Sequence, residues 1–211
     1  VATDRFATAY ELRATAVSAA TGGNPGDTID IDVTLENLGV PYAGPLGLEL
    51  RASADATYVP AQDPQLDTFT INATGAPTEQ LTLSVTVPAL PPGDYRGVAI
   101  VDPLGLVVEY DEANVLVGNV TFPSGPDFSA SAVVVPPGGV AGAPMTFSLT
   151  VDNAGVAFSG AVAVRVQASV DPIFDVNDPL LGNTPVTLSG LASEAVDVTS
   201  TLPQLAPGQW C

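Results

Sequence analysis

Apolar residues recur at every second position in run after run along this chain. Ile29, Ile31, Val33 and Leu35 alternate with Asp30, Asp32, Thr34 and Glu36, and Met145, Phe147, Leu149 and Val151 with Thr146, Ser148, Thr150 and Asp152. Leu46, Leu48 and Leu50, then Leu81, Leu83, Val85 and Val87, then Val162, Val164 and Val166 repeat the pattern. A period of two turns one row of side chains into a core and the next into water, which predicts strands of antiparallel sheets. No stretch carries a convincing 3.6-residue period. Twenty glycines and 20 prolines punctuate the whole length, as turns between many short strands require.

The chain is also written twice. Asp30–Val40 (DIDVTLENLGV) recurs as Thr146–Val156 (TFSLTVDNAGV), an offset of 116. Gly22, Gly23 and Gly26 match Gly138, Gly139 and Gly142, and Ala52-Ser53-Ala54-Asp55 matches Ala168-Ser169-Val170-Asp171. After one deletion Asp63-Pro64 matches Asp178-Pro179, Glu79 matches Glu194, and Leu90-Pro91-Pro92-Gly93-Asp94-Tyr95 matches Leu205-Ala206-Pro207-Gly208-Gln209-Trp210. About seven strands in each roughly 110-residue copy predict an all-β fold of two tandem immunoglobulin-like antiparallel β-sandwiches. The expected organisation is an N-terminal extension over 1–9, a first sandwich over 10–122, a linker over 123–126 and a second sandwich over 127–211. The second copy stops at the counterpart of Arg96, so it is expected to lack its last two strands. Such a gap leaves strand edges open; either the chain is truncated or a strand from another molecule fills it.

Composition narrows the chemistry. The 23 acidic residues face five arginines, with no lysine and no histidine, for a net charge of −18. Only 13% of residues are charged, against roughly 25% in an average protein, while 46% are apolar, enough for a buried core rather than disorder. Without histidine there is no imidazole base, no Ser-His-Asp or Cys-His couple and no histidine metal site. Without lysine there is no Schiff base and no phosphate-binding lysine loop. An acidic surface repels nucleic acid and anionic lipid, so neither is an expected partner. No apolar run approaches the roughly 20 residues of a membrane span. The single cysteine, Cys211, cannot form an intramolecular disulfide; it reads as a strand residue where the chain was cut, or else as an intermolecular thiol. The start at Val1, with no charged and then apolar leader, reads as a mature protein or a fragment.

Several of these segments form a known pattern. Gly26 precedes the strand to Glu36-Asn37-Leu38-Gly39, Ser53-Ala54-Asp55 lies ahead of Asp63, and Leu90-Pro91-Pro92-Gly93-Asp94-Tyr95 precedes Val101-Asp102 and Val108-Glu109-Tyr110-Asp111-Glu112-Ala113-Asn114. The sequence resembles tandem CARDB domains, the cell-adhesion-related domain found in bacteria and archaea, and is similar to APHP-type modules. Ala113-Asn114-Val115 departs from the paired asparagine common in that family. The resemblance implies an extracellular, non-catalytic sandwich module of large surface or secreted proteins, and implies no particular ligand.

Two acidic groups are the candidate sites. Asp171, Asp175, Asn177 and Asp178 follow the third strand of copy two, and Asp55, Asp63 and Asp67 stand in the matching stretch of copy one. Calcium takes six to eight oxygens, and clustered aspartates supply them; the EF-hand spacing is absent, and the same residue types also build turns. The calcium reading takes Asp171, Asp175, Asn177, Asp178, Asp55 and Asp63 as ligands, with calcium the one cofactor in view. Glu109, Asp111, Glu112 and Asn114 form the densest charge and read as a structural turn with a carboxylate accepting backbone N–H groups, ahead of calcium or a catalytic pair. Asn72-Ala73-Thr74 and Asn119-Val120-Thr121 match the N-glycosylation pattern, a short match of the kind that arises by chance. Tyr42, Tyr58, Phe158 and Phe174 are candidates for stacking on sugars, and Tyr95 and Trp210 for the core.

The expected function is a non-enzymatic extracellular module for cell-surface adhesion, spacing or display, whose partners are proteins or glycans at the cell surface or copies of itself. One alternative is a self-assembling filament or sheath subunit whose second sandwich accepts a neighbour's strand, with Val1–Tyr10 a candidate donor. Another is an accessory carbohydrate-binding module of a secreted enzyme.

Overall fold

The computed structural model describes residues 9–171, 173 and 175–205. The extension before Ala9, Phe174, Trp210 and Cys211 therefore lie outside the described residues. Two units, Val1–Gly125 and Pro126–Cys211, each gather their own contacts.

Unit 1 has seven strands: β1 (Leu12–Ala19), β2 (Thr28–Asn37), β3 (Ala43–Ser53), β4 (Gln65–Thr74), β5 (Thr78–Thr86), β6 (Gly93–Val101) and β7 (Val115–Ser124). They form two sheets, β1-β2-β5 and β4-β3-β6-β7, antiparallel at every pairing. This is the immunoglobulin-like sandwich, and the alternation in the sequence dictates it. Ile29, Ile31, Val33 and Leu35 of β2 are buried, as are Leu46, Leu48 and Leu50 of β3 and Val85 of β5, each such burial contributing about 1.5–3 kcal/mol. The outward row is polar and self-satisfied: Ser84 Oγ donates to Asp30 (2.6 Å) and Thr82 Oγ1 to Asp32 (2.7 Å), across paired strands. Tyr95, at the start of β6, is buried against Phe122 and donates its hydroxyl to the Pro91 carbonyl (3.0 Å), the tyrosine corner of this fold.

Unit 1 ends later than the sequence pattern indicated. Pro123 and Ser124, expected in the linker, belong to β7. Gly23 N–H donates to the Pro123 carbonyl (3.2 Å), and Ser124 is buried. Gly22 makes this possible, since a Cβ there would stand 2.1 Å from the Pro123 oxygen.

Unit 2 carries β8 (Phe128–Val134), β9 (Pro144–Asn153), β10 (Ser159–Gln167), β11 (Leu180–Ser189) and β12 (Ser193–Thr201), in sheets β12-β9-β8 and β10-β11. By the offsets of the repeat these correspond to β1 to β5. Among the described residues there is no counterpart of β6 or β7. Phe147, Leu149, Val151, Val186, Leu188 and Val198 are buried, and Phe128 packs edge-on against Phe158 with centroids 5.5 Å apart. The strands the copies share differ in burial at the first of them. Val17 of β1 is 2% exposed, packed against Gly97 of β6 and Gly118 of β7, whereas its counterpart Val133 in β8 is 56% exposed.

The described arginines are Arg13, Arg51, Arg96 and Arg165, in β1, β3, β6 and β10 respectively. Arg13 pairs with Glu36 (2.9 Å) and Arg51 with Glu49. No helix among the described residues is long and apolar enough to cross a membrane, a statement silent on β-barrels.

Candidate functional site

The most distinctive local structure lies between β6 and β7 of unit 1. β6 ends where Asp102 takes a left-handed backbone, φ 46°, sparsely populated for residues other than glycine but tolerated by aspartate. The buried Asp102 carboxylate accepts the amides of Leu106 (3.1 Å) and Val107 (2.7 Å), and its carbonyl accepts that of Gly105 (3.0 Å), itself at φ 59°. Asp102 thus folds the turn that follows it, an aspartate hydrogen-bonding the backbone just beyond itself. From there the chain runs beside the segment before β1: Tyr10 bridges Glu109 in parallel, Tyr110 N–H donates to the Tyr10 carbonyl (3.0 Å), and Asp111 N–H donates to Glu11 Oε2 (3.1 Å).

This path sorts side chains sharply. Val107 and Glu109 are buried, while Leu104, Leu106, Val108 and Tyr110 project outward at 77%, 78%, 80% and 88% exposure. Four large apolar side chains at every second position make an exposed ribbon, the kind of surface that marks an interaction site. Beneath it Glu109 is 8% exposed. One oxygen, Oε2, accepts the Asn114 side-chain amide, while Oε1 is buried with no partner among the described residues. Glu109 N–H donates to Glu112 Oε1 (3.0 Å), and Ala113 N–H to Asp111 Oδ1 (3.0 Å). The expected turn is therefore present, with Asp111 and Glu112 stapling the backbone, but Glu109 is a buried acid rather than a surface one. Burial pushes its carboxyl up from 4.5 to about 7; the Asn114 hydrogen bond opposes this, and the charges of Glu112, Asp102 and Glu11 add to it.

The six candidate calcium ligands lie in two loops, where the aspartates hold backbone amides. In copy one, Asp55 Oδ1 accepts Thr57 N–H (2.6 Å) and the buried Asp63 Oδ2 accepts Val59 N–H (2.8 Å). In copy two, Asp171 Oδ1 accepts Ile173 N–H (2.8 Å), Asp178 Oδ2 accepts Asp175 N–H (2.9 Å), and Asp175 Oδ1 accepts Asn177 N–H (2.7 Å). Asp63 and Asp178 also share a task through their carbonyls, which accept Arg51 Nη1 (2.8 Å) and Gln167 Nε2 (2.9 Å). Both copies keep aspartates here because the loops need the same staples. Among the described residues no three acidic, histidine or cysteine groups gather where they could hold a metal.

The remaining candidates are placed as follows. Tyr42 is half-buried, edge-on to Tyr10 at 5.1 Å, and donates to the Pro45 carbonyl (2.6 Å). Tyr58 lies beneath the Arg51 guanidinium at 6.0 Å. Asn72 and Asn119 are exposed on β4 and β7. The ribbon escaped the sequence reading because Val107 and Val108 are adjacent, so alternation alone does not say which of the two points inward.

No family model matches this chain, and no curated protein matches it. Solved structures do. One is the CARDB domain of a Pyrococcus furiosus protein in complex with di-metal ions, 18% identical over 55% of this chain and 94% of that one, TM-score 0.40. Another is a β-glucosidase from Listeria innocua in complex with glucose, 16% identical over 55% of this chain and 16% of that one, TM-score 0.34. A third is red sea bream transglutaminase, 14% identical over 93% of this chain and 27% of that one, TM-score 0.37.

Proposed function

We propose that this chain is a non-catalytic, extracellular tandem immunoglobulin-like module for adhesion, spacing or display at a cell surface, and that the 104–110 ribbon of unit 1 is its contact surface. The observation that carries this reading is the row of Leu104, Leu106, Val108 and Tyr110, held almost fully in water by a turn that Asp102 and Glu112 staple in place. Exposing four large apolar side chains works against solubility, and a rigid scaffold presenting a loop is how sandwiches make contacts. The absence of histidine and lysine supports a binding rather than a catalytic role, and the motif resemblance implies the same.

The test is adhesion of beads coated with the full chain to intact bacterial cells, together with a glycan array. Leu106→Ser with Tyr110→Ser is expected to weaken attachment at least about tenfold, as loss of central apolar and aromatic anchors does elsewhere. Attachment unchanged by both substitutions refutes the ribbon. Hydrolysis of polysaccharides or peptides by the purified chain refutes the non-catalytic reading.

A second reading rests on β8. Val17 is covered by β6 and β7 in unit 1, while Val133, Val134 and Val135 are exposed in unit 2. An edge strand from a neighbouring molecule would cover them and give a self-assembling filament or sheath subunit. Sedimentation and electron microscopy decide: a monomer at every concentration eliminates it.

A further inference from the structure

We infer that the Glu109 carboxyl is a proton-operated latch on the apolar ribbon, closed while it carries a proton and loosened when it ionises. The inference rests on the ribbon reading above and supplies its regulation.

The geometry makes the argument. Glu109 sits between Val108 and Tyr110, so its own backbone positions two of the four exposed side chains. Its side chain points the opposite way, into a buried site where, among the described residues, Oε1 has no hydrogen-bond partner and Oε2 meets the Asn114 amide alone. Asn114 is itself buried and its carbonyl accepts Val101 N–H (2.9 Å), tying the site to the end of β6. Among the described residues, the groups whose charge acts on Glu109 carry one sign: Glu112 from the loop itself, Asp102 from the end of β6 and Glu11 from the segment before β1. No described arginine is among them; Arg13 pairs with Glu36, Arg51 with Glu49, and Arg96 donates to the Gly118 carbonyl. A neutral carboxyl tolerates such a site. An ionised one, desolvated and facing three carboxylates with one oxygen unsatisfied, does not.

The loop's attachments explain what gives way. Glu109 bridges Tyr10, and the next residue, Tyr110, donates to the Tyr10 carbonyl. Moving the charged carboxyl into water requires this short parallel bridge to open. The Asp102 staple on Leu106 and Val107 is a separate anchor, so the 109–111 end opens while the 105–107 turn holds.

The sign follows from the direction of the shift. A carboxyl raised from 4.5 to about 7 in the folded state contributes stability in full below about 4.5, and loses it as pH climbs through about 7. The ribbon is therefore tightly held in mildly acidic surroundings and loose in alkaline ones.

The experiment uses the full chain with carbon-13 in its glutamate carboxyls, followed by NMR from about pH 4 to about pH 9, spanning both ends of the titration. Glu109 is expected to titrate with a midpoint of about 7. The amides of Tyr110 and Asp111 are expected to shift with the same midpoint and to lose at least about tenfold of their exchange protection above it, roughly what one pH unit of coupling supplies. Glu109→Gln, neutral at every pH, is expected to hold both amides at their acid positions throughout. A Glu109 midpoint near 4.5 overturns the latch, and so do amides whose pH profile is unaltered in Glu109→Gln. Should that variant fail to fold, mismatched carboxyl and amide midpoints in the unsubstituted chain overturn it equally. No partner is present in these measurements, so Leu106→Ser that abolishes attachment but leaves the titration intact separates the two proposals.

Discussion

Replacing Asp102 with alanine leaves the amides of Leu106 and Val107 without their acceptor. Val107 is buried, so water does not fully substitute. A loss of about 1–3 kcal/mol in urea unfolding is expected, the penalty for stranding a buried donor. Gly118 is limited in the opposite sense: a Cβ there would lie 2.4 Å from the Val17 carbonyl oxygen. Gly118→Ala is expected to cost about 1–3 kcal/mol through displaced backbone, whereas Gly138→Ala, with nothing within 4 Å of the added atom, should cost far less. Parallel denaturation curves of the two variants check this pair.

Among the elements, the strands were the most readable part of the sequence. Asp30 and Asp32 are exposed and Ile29, Ile31 and Val33 buried, because a period-two row facing a core has one register that works. Tyr95 was equally legible, since an aromatic at the start of the sixth strand belongs in the core. Glu109 was not. A glutamate in an E-Y-D-E cluster looks solvated, and its burial depends on how the loop docks beside Tyr10, a contact between residues 99 positions apart that no local pattern encodes. The aspartates after the third strand keep a double meaning for a related reason. Their spacing suits an ion as well as a turn, and the turn contacts, hydrogen bonds to the Thr57, Val59, Ile173, Asp175 and Asn177 amides, exist only in the folded loops. Calcium titrated into the chelator-treated protein separates the two: a thermal midpoint raised more than by magnesium at equal ionic strength supports the ion, and an equal shift supports the turn alone.

The hairpin between β11 and β12 carries a pH response opposite to that of the ribbon. Desolvation works against ionisation of Glu194, but the amides of Ser189, Gly190 and Leu191 all donate to its carboxylate and hold it below the usual range. Stability from this staple is present above the ordinary glutamate value and is lost as pH falls through the lowered one. Glu194→Gln is expected to shrink the acid-side loss of unit 2 while leaving the response near neutrality untouched. Circular dichroism against pH in the two proteins measures it.

For the whole molecule, charge is the governing quantity. A net −18 with no lysine makes self-repulsion a standing load on the folded state. Raising ionic strength from about 0.01 M to about 1 M shortens the screening length from about 30 Å to about 3 Å. A thermal midpoint that climbs over this range is expected, and one that stays flat would show that the exposed carboxylates are already relieved by their hydroxyl and amide donors. Because each unit has its own core, calorimetry is expected to resolve two transitions rather than one.

The placement of the arginines gives the chain an unusual relation to trypsin. With no lysine, every tryptic site is an arginine, and Arg13, Arg51, Arg96 and Arg165 all lie within paired strands. Cleavage at these positions requires the strand to leave its sheet, so digestion there proceeds only from opened molecules. The rates of cleavage after Arg13, after Arg51 or Arg96, and after Arg165 are thus built-in clocks for the opening of the β1-β2-β5, β4-β3-β6-β7 and β10-β11 sheets, read without a label or a dye.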